Sequence, residues 1–147
     1  MAVPVPEAIA LEEELAELVL PGFTHDDAWR LGSLARGFAA DEGLGVAIRV
    51  TRGTQIAFQG TTAGSSADND DWMSRKIRLV ERLNIASLTA RLSGSFGWLD
   101  DSYARAGGCI PLRVAGGAQV GTLTVSGLAD TEDHALAIRA LKALLAG

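Results

Sequence analysis

The stretch Val46-Ala47-Ile48-Arg49-Val50-Thr51-Arg52-Gly53-Thr54-Gln55-Ile56-Ala57-Phe58-Gln59 switches the hydrophobic period of the chain from that of a helix to that of a strand. Val46, Ile48 and Val50 alternate with Ala47, Arg49 and Thr51, and neighbouring strand side chains point to opposite faces. Arg52-Gly53 supplies a tight turn, and Ile56 and Phe58 share a face on the return. The stretch predicts a β-hairpin. A second hairpin follows downstream, where Ile110, Leu112 and Val114 alternate, Gly116-Gly117 turns the chain and Val120 to Val125 returns. Hairpins pair antiparallel, which argues against a parallel doubly wound sheet.

Helical spacing surrounds both hairpins. Glu7 to Leu20 reads as an acidic helix ended by Pro21-Gly22, with Glu12, Glu13, Glu14 and Glu17 on a solvated face. Thr24 is an N-cap for a second helix, with Asp26 and Asp27 in its first turn and Gly43 at its end. A long helix starts near Asp68 and breaks around Asn84 or Ser93-Gly94, and a last one runs from Asp130 or Thr131 to Leu145. The expected fold is one α/β (α+β) domain over residues 1–147. A single antiparallel sheet is built from the two hairpins, with helices packed mainly on one face. Residues 1–21 are an N-terminal helix and a candidate oligomer contact.

Composition sets the class. The 147 residues carry 13 Lys+Arg against 18 Asp+Glu, a formal charge of −5, which disfavours phosphate backbones and so nucleic acid. No apolar run reaches the ~18 residues of a membrane span. The acidic start lacks the basic region of a signal peptide, so a cytoplasmic location is expected. Cys109 is the only cysteine, which excludes an internal disulfide and Cys-rich zinc modules.

Two positions break the amphipathic rule. On the long helix, Trp72, Met73, Ile77, Leu79, Val80 and Leu83 form an apolar arc, and Lys76 falls inside it. Such a lysine snorkels, pairs with a carboxylate or loses its charge. It is either one half of a buried ion pair or an amine that holds an anionic group of a ligand. On the last helix, Asp133 sits on the apolar side, where capping in a box with Asp130 is one reading and partnership with Lys76 another. His134 lies at the edge of that arc. Close to a helix N-terminus its imidazole is held neutral, so it is a candidate metal ligand or acid/base group as well as a hydrogen-bonded rim residue. His25 is the other histidine, so no multi-histidine cage forms; a metal at His134 would have to belong to a cofactor such as haem. Cys109 has no adjacent basic residue and reads as a buried, inert thiol.

Three ordered blocks then resemble the haem-degrading-domain family (GlcG/HbpS-like), in its short cytosolic branch. They are Asn69-Asp70-Asp71-Trp72 with Arg75-Lys76 and Val80-Glu81; Tyr103-Ala104 with Gly107-Gly108-Cys109-Ile110-Pro111-Leu112; and Gly121 to Gly127 followed by Asp133-His134. The resemblance implies a profilin-like fold, assembly into dimers or larger rings, and haem or another tetrapyrrole as cofactor or ligand. The positional anomalies fall within these blocks, and together they make Lys76, Asp133, His134, Trp72 and Asp71 the expected ligand site, with no family haem ligand carried over. Lys76 would hold a carboxylate of haem or of another small anion, His134 would approach the metal or act as acid/base, and Asp133 would orient one of them. The alternative function is a non-catalytic oligomeric scaffold or chaperone-associated adaptor.

Overall fold

Thr24 opens the first long helix as expected: its hydroxyl accepts from the Asp27 amide at 3.0 Å, and Asp27 Oδ2 accepts from the Thr24 amide at 2.9 Å. This reciprocal box satisfies two amides that a helix start otherwise leaves bare. The computed structural model describes residues 6–147, so Met1 to Val5, part of the expected N-terminal helix and contact segment, lie outside the described residues. The order is α1 (Pro6–Glu17), β1 (Val19–Leu20), α2 (His25–Asp41), β2 (Ala47–Arg52), β3 (Gln55–Thr61), α3 (Ala67–Leu83), α4 (Ser87–Ser93), β4 (Cys109–Val114), β5 (Gln119–Ser126) and α5 (Asp130–Ala146). Asn84 ends α3 in the left-handed conformation, and Gly94 ends α4 the same way, so both anticipated breaks are used.

One five-stranded sheet, in the order β1-β4-β5-β2-β3, organises the molecule. Both hairpins form, and β5 also pairs antiparallel with β2, joining them. Two details depart from expectation. The sheet is not wholly antiparallel: Val19 and Leu20, read as the end of the first helix, form a short edge strand parallel to β4. Two residues are too few for a period to show.

Helices also cover both faces of the sheet. Ile48, Val50, Ile110, Leu112, Leu123 and Val125 meet α2 and α5 in the main core. The opposite face carries Thr51, Thr122, Thr124, Ser126 and Cys109, all buried, and α3 lies over it. The polar alternation that reads as a solvent face is internally satisfied instead. Thr51 and Thr122 hydroxyls lie 2.7 Å apart, and Thr51 Oγ1 accepts from the Thr122 amide. Threonine with its hydroxyl paired presents a methyl to the helix above, so the surface can be buried at low cost.

Candidate functional site

Lys76 leaves α3 on the face that also buries Met73, Ile77 and Val80, and the residue is 2 % exposed. Nζ donates to the Val125 carbonyl at 3.0 Å and to Asp133 Oδ2 at 3.3 Å. The pair thus ties α3, the end of β5 and the start of α5 together. Asp133 was a candidate for a capping box with Asp130, but the helix is capped by Ala129 and Asp133 lies one position too deep. Its Oδ1 instead accepts from the Leu128 amide at 2.9 Å, closing the β5–α5 turn. Burial pushes the Asp133 carboxyl up to about 6 against the pull of Lys76, and burial likewise lowers the Lys76 ammonium despite Asp133.

The Gly107-Gly108 doublet seals this pair from one side. Gly108 has φ +131°, and a Cβ there would stand 2.2 Å from the Val125 carbonyl oxygen and 2.7 Å from Lys76 Nζ. Only glycine permits both the backbone conformation and the approach. Gly107 N–H donates to Asp130 Oδ2 at 3.1 Å, and Arg91 forks onto the same carboxylate. Against the burial that raises it, these donors hold Asp130 below its ordinary value.

The other side is open. A cleft of 280 Å³ is lined by Asn69, Trp72, Lys76, Ala106, Ser126, Gly127, Leu128, Asp130 and Asp133. Asn69 Nδ2 donates to Ser126 Oγ at 3.3 Å on its wall. Trp72, 37 % exposed, is held at the mouth by the Arg75 guanidinium 4.2 Å from its ring centroid. Asp71 does not line the cleft; it pairs with Arg75 at 3.0 Å and so steadies the group that stacks on Trp72.

His134 is not brought to this cleft. It lines a separate depression of 370 Å³ on α5 with Glu14, Ala135, Ile138, Arg139 and Lys142. Neither ring nitrogen has a hydrogen-bond partner, and both are shut away from solvent. Burial lowers its pKa, opposed by Glu14, Glu12 and Asp130, so the ring is neutral. Asp133 and His134 adjoin in sequence, but consecutive helical residues point about 100° apart, which puts them at different surfaces.

Sequence reasoning missed Asn69, Ser126 and Asp130 as wall residues and Glu12 as an anchor. Glu12 Oε2 accepts from the Ala86 amide at 3.0 Å and from the Thr89 hydroxyl at 2.7 Å, so part of the acidic face of α1 binds α4 instead of solvent. The Gly107-Gly108 doublet was the available signal for the wall, since it marks close backbone approach. Cys109 is buried as expected, and burial pushes its thiol up to about 12, which leaves it inert.

Known proteins resemble this chain in sequence and in fold. A UPF0303 protein of Streptomyces coelicolor is 43% identical over 146 residues, covering 93% of this chain and 92% of the relative. The crystal structure of Ybr137w protein matches with a TM-score of 0.86 and 26% identity over 97% of this chain and 96% of that one. That of a PduOC:heme complex matches in fold, with a TM-score of 0.70 and 17% identity over 83% of this chain and 94% of that one. The family model described as haem degrading protein HbpS-like matches residues 23–142, a span that holds strands β2 to β5, the Lys76–Asp133 pair and the cleft. On that match and on the S. coelicolor relative, the chain belongs to the HbpS-like haem-degrading protein family.

Proposed function

We propose that this protein binds a small hydroxylated molecule in the cleft between α3 and α5, with Lys76 as the polar anchor. The observation that carries the reading is the valence of the Lys76 nitrogen. An ammonium has three N–H donors. Val125 O and Asp133 Oδ2 take two, and among the described residues no further hydrogen bond is made by Nζ, which lines the cleft. Ser126, Asn69 and Asp130 add hydrogen-bonding groups, and Trp72 offers an apolar face.

Charge narrows the ligand. Asp133 already neutralises Lys76, and Asp130 adds a second carboxylate to the lining. A neutral hydroxyl compound is therefore favoured over the carboxylate that Lys76 alone invited. Haem fits poorly. It is held by axial side-chain donors, and the cleft lining has no histidine, cysteine, methionine or tyrosine, while its one amine, Lys76, is already engaged by Val125 and Asp133. At 280 Å³ the cleft sits just under the ~300–1,000 Å³ of drug-sized sites. The PduOC:heme complex supports haem for that protein, and here His134 is the residue to test, although its ring nitrogens are sealed.

Glycerol and glycerate, one neutral and one anionic on the same carbon skeleton, test the reading by amide chemical shifts. Glycerol is expected to shift Gly127 and Leu128 saturably, with the effect weakened by Ser126→Val. No saturable shift by either compound overturns the site, and tighter binding of glycerate overturns the charge argument.

A second reading, the oligomeric scaffold, is favoured by a different feature. Among the described strands β3 pairs with β2 alone, and Ile56 on it is 52 % exposed while Trp29, edge-on against Phe58 of β3, is 63 % exposed. A free edge with apolar side chains invites another chain. Light scattering of Ile56→Lys tests it: a smaller particle than the wild type supports self-association through β3, and unchanged mass counts against it.

A further inference from the structure

Among its 13 Lys+Arg, this chain has lysine only at Lys76 and Lys142, and it places one of them in its buried ion pair. Arginine is the usual choice for such a pair, since its guanidinium stays charged and grips a carboxylate in two places. Lysine offers what arginine does not, an amine that can give up its proton and act as a nucleophile.

The geometry suits that use. Val125 O and Asp133 Oδ2 accept two hydrogens from Nζ. An amine keeps two N–H groups, so it can satisfy both acceptors while its lone pair takes the remaining tetrahedral direction. Gly107 and Gly108 close the opposite side, and the cleft supplies the space where an electrophile would stand. Burial lowers the Lys76 ammonium and raises Asp133 to about 6, both of which ease transfer of a proton between them.

We infer that Lys76 captures a small neutral hydroxyaldehyde as an imine, with Asp133 as the group that moves the protons. The inference rests on the cleft being the ligand site. Asp133 takes a proton from the ammonium, and rotation about Cε–Nζ turns the freed lone pair to the cleft while the two remaining N–H groups face Val125 O and Asp133. The lone pair attacks the carbonyl carbon. The carbon–nitrogen bond forms as the carbonyl π pair moves to oxygen, which is protonated to give a carbinolamine. Nitrogen then loses a second proton and the hydroxyl leaves as water once protonated, so ammonium and aldehyde become a protonated imine and one water. No oxidant or reductant enters. Asn69 and Ser126 are placed to hold the ligand hydroxyl on the cleft wall.

Glyceraldehyde with cyanoborohydride, followed by peptide mass mapping, tests the step, because reduction fixes the imine as a stable amine. Lys142 is the internal control: it is exposed and its ammonium pairs with Glu14 at 2.7 Å. Labelling of Lys76 is expected to exceed that of Lys142 by about ten-fold at neutral pH, because burial favours the neutral, nucleophilic amine of Lys76. In Asp133→Asn with a native amide spectrum, labelling of Lys76 is expected to fall by about a hundred-fold or more, as for loss of an acid–base group. Equal labelling of the two lysines overturns the inference, and unchanged labelling in Asp133→Asn overturns the role of Asp133. If glycerol shifts the Gly127 and Leu128 amides while glyceraldehyde leaves Lys76 unlabelled, the cleft stands and the imine falls. If neither happens, both fall.

Discussion

Lys76 and Asp133 are held to each other by what either would suffer alone. Removing one partner strands a charge among Met73, Val80 and the glycine doublet, which typically costs about 3–5 kcal/mol, whereas replacing both with apolar residues is often neutral. Urea unfolding of Lys76→Met, Asp133→Leu and the double variant is expected to show strong non-additivity, with the double variant more stable than either single one. Additive losses would mean that the two charges do not depend on each other. Asp133 also predicts a pH dependence. Its folded carboxyl titrates at about 6, above the ~3.9 of an unfolded aspartate, so between those values the native state keeps a proton that the unfolded chain has lost. Its own contribution to stability therefore rises as pH falls through that window. The stability gap between wild type and Asp133→Asn is expected to widen from about pH 7 to about pH 4.5; a gap that narrows contradicts the raised carboxyl.

At the scale of elements, α1 is held by the buried side chains of Ala8 and Leu15 and by a few polar ties. Glu12 accepts from Ala86 and Thr89 and meets Arg113 at 3.4 Å, while Glu14 holds Lys142. Glu12→Ala leaves the buried Ala86 amide without its acceptor, a loss of about 1–3 kcal/mol. Hydrogen exchange is expected to rise in α1 and α4 and to stay unchanged in β2 and β5; a uniform rise would mean that α1 is integral to the main cooperative unit. Because α1 lies on the His134 side of α5, the same variant tests what seals that ring. The connection from α4 to β4 behaves differently. Gly108→Ala forces a side chain into the Val125 carbonyl and Lys76 at φ +131°. Strain of this kind alone costs about 1–3 kcal/mol, and a lowered Tm in differential scanning fluorimetry is the expected result.

For the whole molecule, the haem question becomes a choice between two surfaces. The cleft at Lys76 has no histidine, cysteine, methionine or tyrosine in its lining, and the depression at His134 has an imidazole that burial favours as neutral, with Arg139 and Lys142 beside it. With the ring nitrogens sealed, the folded wild type is expected to show no saturable Soret shift with micromolar haem, and His134→Ala to behave identically. A shift lost in His134→Ala would instead assign haem to the α5 depression and require α1 to move. No helix among the described residues is long and apolar enough to cross a membrane.

Much of this was legible from residue order. Both hairpins, the Thr24 box, the breaks at Asn84 and Gly94, the burial of Cys109 and the anomaly at Lys76 follow from period, turn chemistry and capping, which are local. The parallel edge strand was hidden, because two residues carry no period. The second helical layer was hidden too, because Thr51, Thr122 and Thr124 look like solvent-facing residues until their hydroxyls find partners across strands. Of the candidate site, Lys76, Asp133 and Trp72 come together, whereas His134 does not, although it adjoins Asp133 in the chain. Helical rotation sends those two neighbours to different surfaces. Sequence therefore reveals which side chains are out of place, since that depends on near neighbours; only the fold reveals which ones meet, since that depends on how distant elements pack.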